Sequence, residues 1–118
     1  MSQMTRLLII ALLLLLPLEA IAANTLQGIR VWAAPESTRI VLDLSAKAKY
    51  QHSTLVKPNR LVVDLVGTKL KFDLKKIKNS SKLLKRVRLS KPPKKGTTRI
   101  VLDLNQPVKS KLFLLSPT

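Results

Sequence analysis

Aliphatic and charged residues alternate along much of the chain beyond residue 25, with the two-residue period of a β-strand and not the spacing of a helix. The clearest example is a hexamer that occurs at residues 39–44, 60–65 and 99–104, with the sequences RIVLDL, RLVVDL and RIVLDL. β-Branched residues are frequent in the three copies, and turn-forming proline, serine, asparagine or glycine residues precede each one. We therefore predict that each copy is a β-strand.

The second, fourth and sixth residues of every hexamer are large aliphatics. Alternate side chains of a strand point to opposite faces of its sheet, so these positions share one face. Full burial of each side chain is worth roughly 1.5–3 kcal/mol, and a register slip of one residue would expose the whole set. The predicted core therefore consists of Ile40, Leu42, Leu44, Leu61, Val63, Leu65, Ile100, Leu102 and Leu104.

The opposite face presents an arginine, a valine and an aspartate on every copy. In a structural interpretation, the arginine of one strand pairs with the aspartate of its neighbour, at roughly 0.2–1 kcal/mol per pair. In a functional interpretation, the row of guanidinium donors and carboxylate acceptors binds hydroxyls, amides and carboxylates of a polymer. The two interpretations are compatible over a whole face, and the candidate binding residues are Arg39, Asp43, Arg60, Asp64, Arg99 and Asp103.

Two further candidates precede the first hexamer. With Ile29 and Val31 directed inward, Arg30 and the single tryptophan, Trp32, fall on the outer side of the sheet. An exposed indole beside an arginine can stack on a sugar ring, because the ring offers a large apolar surface. The alternative is that Trp32 folds over the sheet edge as a local hydrophobic lid.

The chain contains an internal duplication. Residues 29–31 precede the first hexamer, and the similar residues 87–89 precede the third. Tyr50 follows the first hexamer and Phe113 follows the third at roughly equivalent positions, and we predict that both rings lie in the core. The second half reaches Thr118 where a fourth hexamer is expected. We therefore predict an all-β sandwich of two related sheets, truncated before its last strand. In the alternative, a chain that stops there leaves a strand edge unpaired.

The segment that joins the two halves, residues 69–82, contains six lysines. A run of like charges is typical of a solvated surface, so we predict a basic loop. A short helical turn within this segment is the alternative.

The N-terminus has the order of a secretory signal peptide. A basic residue, Arg6, is followed by ten apolar residues at 7–16 and by the small residues Ala20 and Ala22. Ten apolar residues fall well short of the roughly 20 that span a bilayer, which disfavours a membrane anchor. We predict that residues 1–22 are a cleaved Sec-type signal and that the mature protein is periplasmic.

Cleavage would leave residues 23–118, enough for one small domain. Because Arg6 and Glu19 would be removed together, the net charge stays at +16. This charge attracts anionic partners, which outside the cytoplasm are wall peptides with free carboxylates, lipid head groups and lipopolysaccharide phosphates. A nucleic-acid binder would have to stay in the cytoplasm, and four aromatic residues offer little for base stacking.

Side chains for catalysis are scarce. The sequence has no cysteine and one histidine, His52, whereas metal-dependent hydrolysis uses about three protein ligands. No serine lies in a glycine-flanked elbow, and three scattered glycines form no phosphate loop. We predict that this segment is not an enzyme and holds no metal or cofactor.

The residues just described resemble a known family. Gly28-Ile29-Arg30-Val31-Trp32 (GIRVW), then residues 37–44 (STRIVLDL) and 58–65 (PNRLVVDL), are similar to the AMIN domain. That domain stands at the amino terminus of periplasmic N-acetylmuramoyl-L-alanine amidases of Gram-negative bacteria and also occurs in type IV pilus secretins. The similarity covers about residues 26–117.

The resemblance implies a β-sandwich that binds peptidoglycan, with division-site proteins as further partners, and that helps bring an amidase to the division septum during cell separation. The zinc domain that performs the cleavage in such proteins would be a separate, downstream part of the parent protein. No stable membrane anchor is expected after signal cleavage. The alternative is an assembly module of a secretin that binds protein partners or the wall.

Overall fold

A computed structural model describes residues 24–110 of the chain. The predicted signal peptide, Phe113 and the expected start of a fourth hexamer lie outside the described residues. Within residues 24–110, no helix has the length and apolar composition to cross a membrane.

The described chain forms two β-sheets that pack as a sandwich. One sheet has three strands in the order β2-β1-β5, and the other has four in the order β3-β4-β7-β6. The strands are β1 (Asn24–Ala33), β2 (Thr38–Leu44), β3 (Tyr50–Leu55), β4 (Arg60–Val66), β5 (Thr68–Leu70), β6 (Leu84–Ser90) and β7 (Thr97–Leu104). The three hexamers are β2, β4 and β7, which confirms the predicted strands and the all-β sandwich.

The duplication is visible in the strand pairing. β1 pairs antiparallel with β2 in the same way that β6 pairs with β7. Each pair has a bulge at the equivalent point, between Leu26 and Gly28 in β1 and between Leu84 and Arg86 in β6. A bulge adds one residue to one strand and increases the local twist, so both halves bend at the same place.

The core lies between the sheets. All nine hexamer aliphatics belong to its buried cluster or pack against it, which confirms the predicted inward face. Burial differs between copies: Ile100 of β7 is fully buried, whereas Ile40 at the same position of β2 is only partly buried. The reason is position in the sheet, since β7 lies between two strands and β2 lies at an edge.

The lysine-rich segment is ordered by its apolar residues. Leu70, Phe72, Leu74 and Ile77 pack against the core, and the lysines between them are exposed. The exposed lysines agree with the predicted basic loop, and the short helical turn given as the alternative is also present, as a 3-10 turn at Leu74–Lys76.

Candidate functional site

The outer face of the four-stranded sheet is crossed by arginine–aspartate pairs. Asp64 of β4 lies directly opposite Arg99 of β7, and the guanidinium donates two hydrogen bonds of 2.7 and 2.9 Å to its carboxylate. This is the cross-strand pair that the structural interpretation of the hexamers predicted.

The second aspartate of this sheet has different partners from those predicted. Arg60 lies opposite Asp103, yet its guanidinium donates to the carbonyl oxygen of Pro58 at 2.8 Å. Asp103 instead accepts hydrogen bonds from β6: one from Arg86 at 2.7 Å and two from Arg88 at 2.8 and 3.3 Å. Two guanidinium groups thus converge on one carboxylate.

These pairs cover the face on which they lie. The side chain of Asp64 is 12% exposed and that of Asp103 is 8% exposed, and Val62 and Val101 on the same face are buried. The functional interpretation of the hexamers requires carboxylates that are open to a polymer, and these two carboxylates are not open. The physical reason is that arginines of neighbouring strands lie over the carboxylates and donate hydrogen bonds to both oxygens of each one.

The pairing also changes the acidity of the two carboxyls. Hydrogen bonds from Arg99 lower the pKa of Asp64 below its ordinary value, and hydrogen bonds from Arg88 and then Arg86 do the same for the pKa of Asp103. Burial acts in the opposite direction, because it disfavours the charged form, but the hydrogen bonds are the larger effect. Both groups are held as carboxylates.

The outer face of the three-stranded sheet is more open. Arg30 of β1 makes a bidentate pair with Asp43 of β2, at 2.8 and 2.7 Å, and both side chains are well exposed, at 54% and 39%. Gly28 is opposite Asp43 in the place that Arg86 occupies opposite Asp103. Because glycine has no side chain, Asp43 receives one arginine rather than two and keeps solvent access.

Trp32 lies on this open face between two arginines. The guanidinium carbon of Arg30 is 4.9 Å from the ring centroid, and that of Arg39, directly opposite on β2, is 6.0 Å away. Both distances fall within the range of cation–π attraction. The residue is 48% exposed, so the outer-side placement beside Arg30 is confirmed and the indole does not serve as a closed lid.

We name this group the tryptophan patch: Trp32, Arg30, Arg39 and Asp43. Arg39 is exposed and has no ion-pair partner among residues 24–110. Its guanidinium is therefore available to a ligand carboxylate, which it can bind with two parallel hydrogen bonds. The exposed part of the indole offers an apolar surface to the face of a sugar ring.

The sequence-predicted residues are thus divided between two faces. Arg30, Trp32, Arg39 and Asp43 come together on the three-stranded sheet, and Arg60, Asp64, Arg99 and Asp103 lie on the four-stranded sheet. Sequence reasoning missed Arg86 and Arg88 as partners of Asp103. The duplication held a signal for Arg88, because it occupies the place in the second half that Arg30 occupies in the first.

The single histidine is exposed and stacks on Tyr50, with ring centroids 6.3 Å apart. Tyr50 itself packs against the core, as predicted. In the part of the chain that the structure describes, no group of three or more His, Asp or Glu side chains is placed to hold a metal ion.

Comparison with known proteins identifies relatives. The family model of the AMIN domain matches residues 28–117. The chain is 32% identical over 103 residues to the N-acetylmuramoyl-L-alanine amidase AmiC of Neisseria meningitidis serogroup B, covering 84% of this chain and 24% of that protein. It is also 32% identical over 100 residues to AmiC of Escherichia coli O6:H1, covering 81% and 24%. The chain spans about a quarter of the length of these curated relatives.

Proposed function

The chain belongs to the AMIN-domain family, and on that premise we propose that it is the peptidoglycan-binding module of an exported cell-wall amidase. Its own residues bind the wall and perform no chemistry. Cleavage of the bond between muramic acid and the stem peptide belongs to a zinc-dependent catalytic domain elsewhere in the parent protein. The amidase names of the relatives support this assignment.

The observation that carries the proposal is the exposed tryptophan patch. Trp32 stacks on a ring of the glycan, and Arg39 binds a carboxylate of a stem peptide with its two donor nitrogens. The pair of Arg30 with Asp43 orients the guanidinium that lies over the indole. Tryptophan and arginine are frequent among the few residues that supply most of the binding energy of an interface.

The four-stranded sheet has a supporting role in this proposal. Asp64 and Asp103 are engaged by arginines, so the exposed parts of Arg86 and Arg88, and not the carboxylates, face the polymer. The net charge of +16 raises the local concentration of an anionic wall. Both sheets therefore contribute positive charge, and the tryptophan patch contributes the specific contact.

The proposal includes a location and a cellular role. Residues 1–22 direct export by the Sec route and are removed, which places the domain in the periplasm. There it brings the amidase to the septal wall during cell separation, alone or with division-site proteins. Nucleic acid is not a partner in this scheme.

Sedimentation with purified sacculi tests the proposal. The full chain, with its β-sheet content checked by circular dichroism, is expected to pellet with the sacculi. Trp32→Ala and Arg39→Gln should each weaken binding by about tenfold, the loss typical of an anchor residue. The matched control is Lys95→Gln, which removes the same charge as Arg39→Gln from an exposed loop residue.

The outcomes separate specific from general attraction. Equal loss in Arg39→Gln and Lys95→Gln, together with release of all variants by moderate salt, would mean that unspecific charge accounts for the binding. Unchanged sedimentation of a folded Trp32→Ala chain would show that the tryptophan patch does not bind the sacculi.

A further inference from the structure

The carboxylates of Asp43 and Asp103 occupy equivalent positions in the duplication, but they differ in the donors that they receive. Oδ2 of Asp103 accepts two hydrogen bonds, from Nε of Arg88 at 2.8 Å and from Nε of Arg86 at 2.7 Å. Oδ2 of Asp43 accepts one, from Nε of Arg30 at 2.8 Å, and no second side chain in the described part of the chain donates to it. Because a carboxylate oxygen can accept two hydrogen bonds, Asp43 keeps one acceptor direction open.

Gly28 leaves space beside this open oxygen. It lies opposite Asp43 as Arg86 lies opposite Asp103, and a methyl group at Gly28 would lie 3.3 Å from Oδ2 of Asp43. The backbone does not require a glycine here, because the φ of Gly28 is not positive and the equivalent position holds an arginine. The missing side chain therefore has a different consequence, which is room for another group at a carboxylate that is 39% exposed.

The second half of the chain shows which kind of group fits this space. There the cationic side chain of Arg86 occupies it and donates its Nε hydrogen to Oδ2 of Asp103. Hydrogen bonds between a cation and a carboxylate are stronger than those between neutral groups. A ligand ammonium is a compact cation with three donors, so it can take this place at Asp43 while Arg30 keeps its own two hydrogen bonds.

We infer that the space between Gly28 and Oδ2 of Asp43 is a subsite for one primary ammonium group of the ligand. The inference rests on the proposed wall binding and specifies its ligand as a stem peptide with a free amino group. Arg39, the residue proposed to bind a carboxylate, lies four residues before Asp43 on the same face of β2, at a distance of about 13 Å along the strand. The tryptophan patch therefore binds a carboxylate near one end and an ammonium at the other.

The subsite acts against the overall charge of the protein. The net charge of +16 repels cations, so the loss of a positive charge from a ligand would by itself strengthen binding. A carboxylate in direct contact has the larger effect, since attraction decreases with distance and salt screens exposed charges beyond about 10 Å. The local and the general effect have opposite signs and can therefore be separated by experiment.

The test compares soluble peptidoglycan fragments that have free amino groups with the same fragments after acetylation, which removes the positive charge. Isothermal titration calorimetry measures their binding to the full chain. We expect acetylation to weaken binding about fivefold, as for the loss of one ion pair at a partly exposed carboxylate. General attraction to a chain of charge +16 predicts the opposite result, which is tighter binding of the acetylated fragments.

Gly28→Arg tests the position of the subsite, because it gives the first half the arginine of the second. This variant should bind the unmodified fragments about fivefold less tightly than the parent chain and should not distinguish them from the acetylated ones. The matched control is Gln27→Lys, which adds the same charge at the adjacent exposed position, where the second half has Lys85. It should keep the preference for free amino groups. Circular dichroism checks both folds, and the comparison of fragments on the parent chain does not depend on either variant.

Two results would overturn the inference alone. One is equal or tighter binding of the acetylated fragments by the parent chain, and the other is a preference for free amino groups that persists in folded Gly28→Arg. If Trp32→Ala still weakens the binding of the same fragments, the proposed wall binding stands without the ammonium subsite. Absence of binding for both kinds of fragment would contradict the proposed function and the inference together.

Discussion

Arg99 and Asp64 lie opposite each other on adjacent central strands, and two hydrogen bonds of 2.7 and 2.9 Å join the guanidinium to a carboxylate that is 12% exposed. Arg30 and Asp43 form a pair of the same geometry on the other sheet, where both side chains are well exposed. The two pairs allow the effect of burial on an ion pair to be measured within one protein.

Arg99→Ala is expected to lower the free energy of unfolding by about 2 kcal/mol, because it leaves the Asp64 carboxylate largely buried and without its donors. Arg30→Ala should cost less than about 1 kcal/mol, since solvent replaces the lost donor at an exposed carboxylate. Urea denaturation of both variants measures the difference. Equal losses would contradict the role of burial.

Acid should destabilise the fold through the two covered aspartates. Their pKa values are lowered in the folded state, so near pH 4 the unfolded chain binds more protons and stability rises with pH. The contribution is complete above the ordinary aspartate pKa of about 4 and is lost as pH falls below it through the lower folded values. Urea midpoints between about pH 2.5 and pH 7 measure this dependence.

Asp64→Asn provides the control for the acid effect. We expect it to be less stable than the parent chain at neutral pH, and its unfolding free energy should fall less steeply in acid because one titrating carboxylate is gone. A variant with the same acid slope as the parent chain would show that Asp64 is not a source of the effect.

The identical hexamers of β2 and β7 give a matched test of core packing. Ile100→Val should cost about 1 kcal/mol, because it removes a methylene from a fully buried side chain. Ile40→Val should cost about half as much or less, since Ile40 lies on the edge strand β2, is only partly buried and lines a groove between the two sheets. Equal costs from urea denaturation would mean that the β2 edge is as closely packed as β7.

The strands and their inward faces were predictable because the two-residue pattern is local. The alternation of side chains along each hexamer determines which of them share a face, and the burial of aliphatic side chains determines which face is inside. All nine predicted core residues accordingly lie in or against the core.

The partners of the charged residues were less predictable, because they depend on which strands become neighbours. Arg39 and Arg99 stand in identical hexamers, yet only Arg99 faces an aspartate across an occupied edge. The cover over Asp103 comes from Arg86 and Arg88 on β6, which lies outside the three hexamers and pairs with β7. Such contacts follow from sheet order and register, which a periodic pattern does not contain.

The most direct measurement for wall binding is the fluorescence of Trp32, since it is the single tryptophan of the chain and lies in the tryptophan patch. Soluble peptidoglycan fragments are titrated into the full chain while the tryptophan emission is recorded. Wall binding through the tryptophan patch predicts a saturable change in emission whose midpoint matches the affinity for sacculi and shifts in Arg39→Gln but not in Lys95→Gln. Emission that stays constant while the fragments demonstrably bind would contradict it.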